Sequence, residues 1–418
     1  MILLVLNCGS SSLKFQLLEL VVPVPAAGAA AGEPPAAGSA SPLWLARGAV
    51  ERLGGAAECA FFAAGGAEAR RVAEVPDHAA ALRLALDWIA ASAPEAGGRI
   101  AAVGHRGVHG GERFSAPTFI DDEVLAEIDA LAELAPLHNP ACAAGIRAAR
   151  AALGAGLPMV AVFDTAYYRT LPEHAAVYAL PFEWTERHAV RRYGFHGIAH
   201  QQVARRAAAL CGRPVEEAAV VTLHLGNGCS ATATRAGQAM DTSMGFTPLE
   251  GLVMGTRAGD LDPALVPYLM RKEGLTADEI EHRLNRRSGL LGVSGRSNDM
   301  RDLLAAAAGG DPRARLAVDL FCHRARKYLG AYLAALGGAD AVAFSGGIGE
   351  RSPEVRARIA GGMEWCGLAL DPAANAAAAG VEACISAAGS RIRVFAIPSD
   401  EESAIARETA RLAAARGR

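Results

Sequence analysis

Short apolar runs alternate with helix-length stretches along nearly the whole chain. The runs that suit buried strands are Ile2–Leu6, Phe15–Val22, Trp44–Glu51, Ala101–His105, Met159–Phe163, Ala219–His224, Ser230–Arg235, Ala341–Phe344 and Arg393–Ile397. The predicted helices are Asp77–Ala91, Asp122–Leu134, Pro140–Leu153, Gly197–Leu210, Pro263–Lys272, Thr276–Asn285, Pro312–Leu336 and Ser399–Arg416. Because strands that alternate with helices pack as a sheet covered by helices, the pattern predicts an α/β fold. A chain of 418 residues has room for two or three domains.

Local signals refine these elements. Thr276 with Glu279, and Ser399 with Glu402, have the spacing of a capping box, which predicts helix starts at these two places. The segment Val21–Pro42 is rich in Ala, Gly and Pro, so it predicts a surface loop between two strands.

Charge and cysteine content exclude several classes of protein. Lys and Arg number 41 against 44 Asp and Glu, so there is no basic excess to bind a nucleic-acid backbone. No apolar stretch reaches the roughly 20 residues that span a bilayer, which predicts no membrane partner. The eight cysteines are scattered without a Cys-x-x-Cys pair, so we expect reduced thiols in a cytoplasmic protein.

A glycine turn follows the first strand, in the segment Asn7–Lys14. Glycine and small residues let backbone N–H groups approach phosphate oxygens, and Ser10 and Ser12 add hydroxyl donors. Lys14 adds a positive charge, and Asn7 can bind Mg²⁺ directly or through water. The Gly-x-x-x-x-Gly-Lys-Ser/Thr pattern of a P-loop is missing, so an ordinary tight turn is the alternative.

Two further glycine turns follow predicted strands. The turn His224–Gly228 repeats the arrangement of the first turn about 220 residues later, which suggests two related halves. The turn Ser345–Glu350 lies between a strand and a helix that opens at Pro353, an arrangement that suits contact with a nucleotide. Three such turns are a stronger signal of phosphate binding than one.

Basic and acidic residues lie between these turns. Arg106 follows a strand, Asp164 ends another, His196 opens a helix and Arg257 is flanked by glycines. Arginine at such loops suits bidentate recognition of carboxylate or phosphate. Together with the three turns, these residues predict a site for an anionic substrate.

The sequence resembles the acetate kinase family over nearly its whole length. The matching segments are Asn7–Lys14, Gly104–Gly111, Pro136–Pro140, Val162–Thr165, Arg192–Gly197, His224–Gly228, Asp241–Pro248, Met254–Asp260, Ser297–Arg301, Gly346–Glu350 and Ile397–Glu402. The resemblance implies two RNase H-like domains of the actin-type ATPase fold, with ATP in the cleft between them. It implies an N-terminal domain of residues 1–164, to which a helix at 399–418 returns, and a C-terminal nucleotide-binding domain of residues 165–398.

The resemblance also implies a role for each matching residue. Asn7 and Glu401 would hold Mg²⁺, for which Mn²⁺ could substitute. The residues that would bind ATP or ADP are Ser10, Ser12, Lys14, His224, Leu225, Gly226, Asn227, Gly228, Asp299, Met300, Arg301, Gly347, Ile348, Gly349, Glu350 and Arg351. Those that would bind acetate are Arg106, Val108, Leu137, Phe195 and Pro248. The catalytic groups would be Asp164, His196, Arg257, Arg106 and Asn227.

The implied reaction is reversible phosphoryl transfer from ATP to acetate, giving acetyl phosphate and ADP, in a homodimer. Acetate is ionised at neutral pH because such acids titrate near pH ~4, so attack needs no general base. We expect in-line transfer in which Arg106 and Arg257 hold the carboxylate and the developing phosphoryl charge. His196 would donate to an equatorial oxygen, and Asp164 would orient neighbouring groups.

Three positions depart from the family's pattern. Gly107 replaces a branched apolar residue, which could loosen the acyl pocket, and Arg351 and Asp400 stand where asparagine is common. A propionate or butyrate kinase is therefore one alternative, because one methylene is worth only about 1–3 kcal/mol of discrimination. A nucleotide-switch ATPase of the same fold is another, although it would not need two arginines and a histidine beside an apolar pocket.

Overall fold

The computed structural model describes residues 1–21, 42–136 and 138–416. The described strands are β1 (Ile2–Gly9), β2 (Ser12–Glu19), β3 (Leu43–Glu51), β4 (Gly55–Ala63), β5 (Glu68–Val75), β6 (Ile100–Gly107), β7 (Thr118–Phe119), β8 (Met159–Phe163), β9 (Ala219–Leu225), β10 (Cys229–Arg235), β11 (Gln238–Thr242), β12 (Ala341–Ser345), β13 (Ala383–Cys384) and β14 (Arg393–Ala396). The described helices are α1 (His78–Ser92), α2 (Pro94–Gly97), α3 (Asp122–Ala130), α4 (Asn139–Leu153), α5 (Glu173–Ala176), α6 (Phe182–His188), α7 (Gly197–Leu210), α8 (Leu265–Glu273), α9 (Ala277–Arg286), α10 (Gly289–Ser294), α11 (Met300–Ala308), α12 (Pro312–Leu336), α13 (Gly346–Arg351), α14 (Pro353–Ala360), α15 (Pro372–Ala377) and α16 (Glu401–Arg416). Short 3₁₀ helices cover Leu131–Glu133, Asp164–Tyr168, Val215–Glu217 and Glu364–Cys366.

The chain divides into two compact units, each built on a sheet. The first comprises Met1–Tyr167 with Asp400–Arg418, and the second comprises Tyr168–Ser399. The strands described in the first unit lie in the order β5-β4-β3-β2-β1-β6-β8-β7, and those in the second in the order β11-β10-β9-β12-β14-β13. Each sheet places an antiparallel hairpin (β1–β2 or β9–β10) beside two parallel strands (β6 and β8, or β12 and β14). The predicted α/β fold is confirmed, and the shared strand order supports the prediction of two related halves.

The core of the first unit surrounds β1, which is buried on both faces. Helix α4 packs closely enough that a side-chain carbon on Gly145 would lie 2.3 Å from Sγ of Cys8. Helix α16 packs against β1, β6 and β8, and a side-chain carbon on Gly104 would lie 2.5 Å from Oγ1 of Thr409. Glu401, the first residue of α16, lies 3.2 Å from Arg106, which places the beginning of this helix at the carboxyl end of β6.

In the second unit, helices α7 and α12 pack against the sheet around β9. Small residues of α7, including Ala204 and Ala207, are buried against Val220 and Ala343 of the sheet. Helix α12 contacts β9 and β10 and buries Phe321 and Leu329. Because α7 begins at Gly197, this packing brings the residue before it, His196, to the end of β9 and the start of β10.

Several predicted elements match the structure, and others need correction. β8, α7 and α12 have the predicted bounds, and Thr276 with Glu279 forms the predicted capping box. The predicted cap at Ser399 is wrong, because Asp400 accepts from the N–H of Ser403 at 3.1 Å. Ser399 instead donates from its backbone N–H to Glu350 at 2.9 Å. Most of the predicted loop Val21–Pro42 lies outside the described residues.

The prediction of a glycine turn at Ser345–Glu350 is wrong. The chain enters helix α13 at Gly346, directly after β12. Gly346 has a φ of 72°, and a side-chain carbon there would lie 2.7 Å from the Leu225 carbonyl oxygen. Glycine therefore allows an abrupt change from strand to helix at this position.

Among the described helices, none is long and apolar enough to cross a bilayer.

His105 makes the first unit sensitive to acid. It lies on β6 with 1% of its surface exposed, and burial together with Arg150 lowers its pKa to about 3. An unfolded imidazole titrates near pH ~6.5, so the unfolded chain takes up a proton that the folded one does not. Stability due to this residue is therefore lost as pH falls from the unfolded value toward the folded one, by about 1.4 kcal/mol per pH unit.

We expect His105→Leu to reduce the acid dependence of the free energy of unfolding, measured by urea denaturation between pH 6.5 and pH ~4.5. The matched control is His323→Gln, because His323 is exposed on α12. Equal pH slopes for His105→Leu and the unmodified protein would contradict this assignment.

Candidate active site

The first glycine turn is tighter than the sequence predicted. The β1–β2 ladder runs on to pair Asn7 with Lys14 and Gly9 with Ser12, which leaves Ser10 and Ser11 as the turn. Most backbone groups of the motif are therefore committed to the ladder rather than to an open anion-binding loop. Phosphate contacts from this hairpin would come chiefly from its exposed hydroxyls and from Lys14, whose side chain is also exposed. At the start of α1, Nε2 of His78 lies 2.8 Å from the Gly9 carbonyl oxygen and holds the hairpin end.

An ion-pair cluster lies at the carboxyl ends of β6 and β8. Nη2 of Arg106 donates to Asp164 at 2.7 Å, and its Nη1 lies 3.2 Å from Glu401 at the start of α16. Burial alone lowers the pKa of Arg106, but Asp164, Glu401 and Glu402 hold it above its usual value. Burial, with Glu401 and Asp400, raises the pKa of Glu402. The cluster thus places one arginine among several carboxylates.

Gly107, the residue after Arg106, lies close to the ring of Phe163. A side-chain carbon on Gly107 would lie 2.4 Å from Cδ1 of Phe163. The Phe163 ring is buried and stacks on Phe114 with ring centroids 4.6 Å apart. The Phe163 ring therefore takes up the space next to Gly107, and the effect of this glycine on an acyl pocket stays a prediction. Of the other predicted pocket residues, Val108 is half-buried, and Leu137 lies outside the described residues.

In the second unit, the turn His224–Gly228 joins β9 to β10. The N–H of Gly226 donates to the Gly228 carbonyl at 3.1 Å, which closes the turn. Asn227 accepts at its carbonyl from the N–H of Gly255 at 2.9 Å, and at its side-chain oxygen from Asn298 at 2.9 Å. The side chain of Leu225 is fully buried, so this residue could contact a ligand only through its backbone.

His196 sits at the start of α7 in a left-handed conformation with a φ of 58°. Such a backbone is strained for a residue other than glycine and is enriched at functional sites. The preceding carbonyl, that of Phe195, accepts from the Tyr168 hydroxyl at 2.9 Å. The His196 ring lies beside that of His224, with centroids 4.9 Å apart, and its Nδ1 lies 2.8 Å from Oγ of Ser230. Phe195 itself is buried, with 2% of its surface exposed.

Arg257 points toward the same turn. Its Nη1 donates to the Pro248 carbonyl at 3.1 Å and contacts Sδ of Met254 at 3.4 Å. No carboxylate pairs with it among the described residues, and burial lowers its pKa. A side-chain carbon on Gly228 would lie 3.4 Å from Cε1 of His196 and 3.5 Å from Nη1 of Arg257. The histidine, the arginine and the glycine turn therefore converge on one place.

The remaining predicted ligand-binding residues lie on α11 and α13. Asp299 caps α11 and pairs with Arg301, which is exposed, whereas Met300 is buried in the core. On α13, Gly347 and Arg351 are exposed, Ile348 and Glu350 are half-buried, and Gly349 is buried. Because Met300 and Gly349 are buried, each could contact a ligand chiefly through backbone atoms.

Comparison with known proteins assigns the chain to a family. The sequence profile of the acetokinase family matches residues 2–407. This chain belongs to the acetokinase family. Among its acetokinase relatives, the acetate kinase of Solibacter usitatus is 50% identical over 414 residues, covering 98% of this chain and 97% of the relative. The acetate kinase of Bacillus subtilis is 45% identical over 416 residues, covering 98% and 99%.

Solved acetokinase-like structures share the fold. The acetate kinase of Porphyromonas gingivalis superposes with a TM-score of 0.87 at 40% identity, covering 98% of this chain and 99% of that one. A propionate kinase from Francisella tularensis superposes with a TM-score of 0.86 at 38% identity, covering 97% and 98%. The resemblance that the motifs indicated is therefore confirmed for both family and fold.

Three residues of this acetokinase site were not predicted from the sequence. Ser230 lies on β10 two residues after Gly228, His200 lies one turn into α7, and Thr222 lies on β9. They link to His196 by hydrogen bonds. The spacing of His196 and His200, four residues apart at the start of a predicted helix, was the available signal.

Proposed function

We propose that this chain catalyses reversible, Mg²⁺-dependent phosphoryl transfer from ATP to acetate. A carboxylate oxygen of acetate forms a bond to the γ-phosphorus, and the bond from that phosphorus to the β,γ-bridging oxygen breaks. ADP leaves with the bonding electron pair, and acetyl phosphate is formed. The family assignment supports this reaction, as do the acetate kinases among the relatives.

The observation that carries the proposal is the convergence of His196 and Arg257 on Gly228. Arg257 is a half-buried cation without a carboxylate partner among the described residues, so a bound anion would compensate its burial. A phosphoryl group in transfer spreads negative charge over its equatorial oxygens, which suits donors fixed in advance. We assign Arg257, His196 and Asn227 to this group, and the backbone of His224–Gly228 to the ATP phosphates.

In the first unit we assign the carboxylate of acetate to Arg106, which Asp164 orients. Because Asp164 accepts from Arg106 at 2.7 Å and acetate is already ionised, Asp164 acts as a positioning group and not as a base. Val108, Leu137, Phe195 and Pro248 remain the proposed acyl pocket. Lys14 with Ser10 and Ser12 would contact phosphate, and Asp299–Arg301 with Gly347–Arg351 would surround adenosine.

The proposed metal ligands are Asn7 and Glu401, with Mn²⁺ as a possible substitute for Mg²⁺. Their amide and carboxylate oxygens are the hard donors that Mg²⁺ prefers. Within the described part of the chain, no three His, Cys, Asp or Glu side chains are arranged to hold a metal. This fits Mg²⁺, which commonly uses one or two protein groups together with substrate phosphates. When bound, the ion neutralises charge on the phosphate oxygens. We also propose that the protein is a cytoplasmic homodimer. Its proposed domains are residues 1–164, to which the helix at 399–418 returns, and residues 165–398.

The test is a hydroxylamine trap for acyl phosphate with ATP and, separately, acetate, propionate and butyrate. We expect product with acetate, and none when EDTA removes the metal. Propionate is the second candidate, because the propionate kinase of Francisella tularensis is 38% identical to this chain. A higher kcat/KM for propionate or butyrate would transfer the assignment to that acid. ATP hydrolysis without acyl phosphate from any acid would replace the kinase by a nucleotide-switch ATPase.

A further inference from the structure

A buried chain of hydrogen bonds leads from β9 through α7 and β10 to His196. Nδ1 of His200 lies 2.6 Å from Oγ1 of Thr222, and its Nε2 lies 2.7 Å from Oγ of Ser230. The same serine oxygen lies 2.8 Å from Nδ1 of His196. We propose that this chain fixes His196 as the neutral tautomer with its proton on Nε2, so that this N–H faces the phosphoryl group. The inference rests on the phosphoryl-transfer function proposed above.

The inner members of this hydrogen-bond chain have no access to water. Thr222, His200 and Ser230 are each fully buried. Burial, with His224 nearby, lowers the pKa of His200 well below its usual value, so its imidazole is neutral. A neutral imidazole has one N–H donor and one acceptor nitrogen, and each hydroxyl has a single proton. Both imidazoles lie within 2.8 Å of Oγ of Ser230, and its proton goes to one of them. The hydrogen bonds therefore run in one of two directions, and the two ends of the network decide between them.

In the first direction, His196 donates from Nδ1 to Ser230, Ser230 donates to His200, and His200 donates to Thr222. The Thr222 hydroxyl proton is then left with the Thr232 carbonyl oxygen, which is 3.4 Å away. Hydroxyl hydrogen bonds to oxygen are normally 2.7–2.8 Å long, so this contact is weak. A buried hydroxyl donor without a good acceptor costs about 1–3 kcal/mol.

In the second direction, the protons of Thr222, His200 and Ser230 each have an acceptor within 2.8 Å. Thr222 donates to Nδ1 of His200, Nε2 of His200 donates to Ser230, and Ser230 donates to Nδ1 of His196. The proton of a neutral His196 must then be on Nε2. The second direction is favoured because it avoids the weak 3.4 Å contact.

The surroundings of His196 favour a neutral donor. A side-chain carbon on Gly228 would lie 3.5 Å from both Nε2 of His196 and Nη1 of Arg257, so both nitrogens face the same place. The guanidinium of Arg257 already supplies a positive charge at this place, so a second positive charge on His196 is disfavoured. An imidazole with Nε2–H supplies a directed donor to a phosphoryl oxygen without that charge. No proton moves during the step, so Ser230 and His200 are positioning residues.

The test measures the tautomer of His196 in the full-length protein without ligands. Long-range ¹H–¹⁵N spectra of ¹⁵N-histidine-labelled protein distinguish the two neutral tautomers for each of the 11 histidines. His196→Gln identifies the signal by its loss. We expect Nε2–H for His196 in the unmodified protein. An Nδ1–H tautomer would overturn the proposal, and the only variant needed for this measurement is the one that assigns the signal.

Variants of the chain then test its control of the tautomer. In Ser230→Ala we expect His196 to populate both tautomers and kcat to fall about 10-fold, with the KM values for ATP and acetate within about 2-fold. Thr222→Val should shift the tautomer in the same direction. The matched control is Thr409→Val, because Thr409 is equally buried on α16 and donates to the Ile405 carbonyl at 2.8 Å.

An unchanged His196 tautomer in Ser230→Ala would overturn the proposal even if kcat falls, because the serine would then act only through packing. Absence of acetyl phosphate with the unmodified protein would instead contradict the proposed function. The tautomer measurement is independent of turnover, so the two failures are distinguishable.

Discussion

Arg257→Ala should lower kcat for acetyl phosphate formation by about 10²- to 10³-fold, the usual effect of removing one donor to transition-state charge. Nη1 of Arg257 faces Gly228 together with His196, and the guanidinium has no carboxylate partner among the described residues. Its charge is therefore available to a phosphoryl group. Because developing charge is greatest in the transition state, kcat should fall more than KM for ATP rises.

The control for this prediction is Arg206→Ala. Arg206 forms an exposed two-pronged ion pair with Glu382, at 2.6 and 2.7 Å, on the surface of the same unit. Exposed pairs contribute about 0–1 kcal/mol to stability, so activity and Tm should stay near those of the unmodified protein. Steady-state kinetics of both variants provide the comparison. Near-normal turnover of Arg257→Ala would remove this arginine from the proposed mechanism.

Elements with a strong local pattern could be predicted from the sequence. β8 is a continuous apolar run, and α12 has Asp311 as its N-cap, proline in its first turn and Gly337 at its end. These signals act within a few residues, so they need no knowledge of the rest of the fold. The turns at Asn7–Lys14 and His224–Gly228 were found for the same reason.

Elements that depend on distant partners were missed. β4 is rich in alanine, and half of the residues of β5 are charged and most are exposed, so neither has the composition of a strand. They form because each pairs with the other and β4 pairs with β3. The glycines of α13 favour a loop locally, but its carbonyls are bound by Arg356 from the following helix. Long-range contacts override local preference in these cases.

In the candidate site too, local motifs could be predicted and long-range contacts could not. Motifs identified His196, Arg257 and Arg106, whereas their partners depend on register and helix packing. Ser230 reaches His196 only because β10 pairs with β9 and α7 covers β9. Glu401 reaches Arg106 because α16 packs across β6 and β8. A linear sequence does not specify these distances, so the hydrogen-bond chain behind His196 required the structure.

Arg356→Ala should lower the free energy of unfolding by about 3–5 kcal/mol, as expected for loss of a buried, fully bonded charged group. Arg356 is fully buried on α14, and burial lowers its pKa to about 10. Its guanidinium donates at 2.6–2.9 Å to the carbonyls of Gly349, Glu350, Asn375 and Ala378 and to the Asn375 side chain. Removing it leaves these acceptors without donors inside the protein.

The matched control is Arg358→Ala, two residues along the same helix. Arg358 is partly exposed and pairs with Asp319 at 2.8 Å and Glu354 at 2.6 Å, so its loss should cost no more than about 1 kcal/mol. Urea denaturation gives both values. Because two of the acceptors of Arg356 are carbonyls of α13, hydrogen exchange in α13 should rise in Arg356→Ala before the rest of the unit unfolds. Equal losses of stability in the two variants would show that the guanidinium does not hold α13 in place.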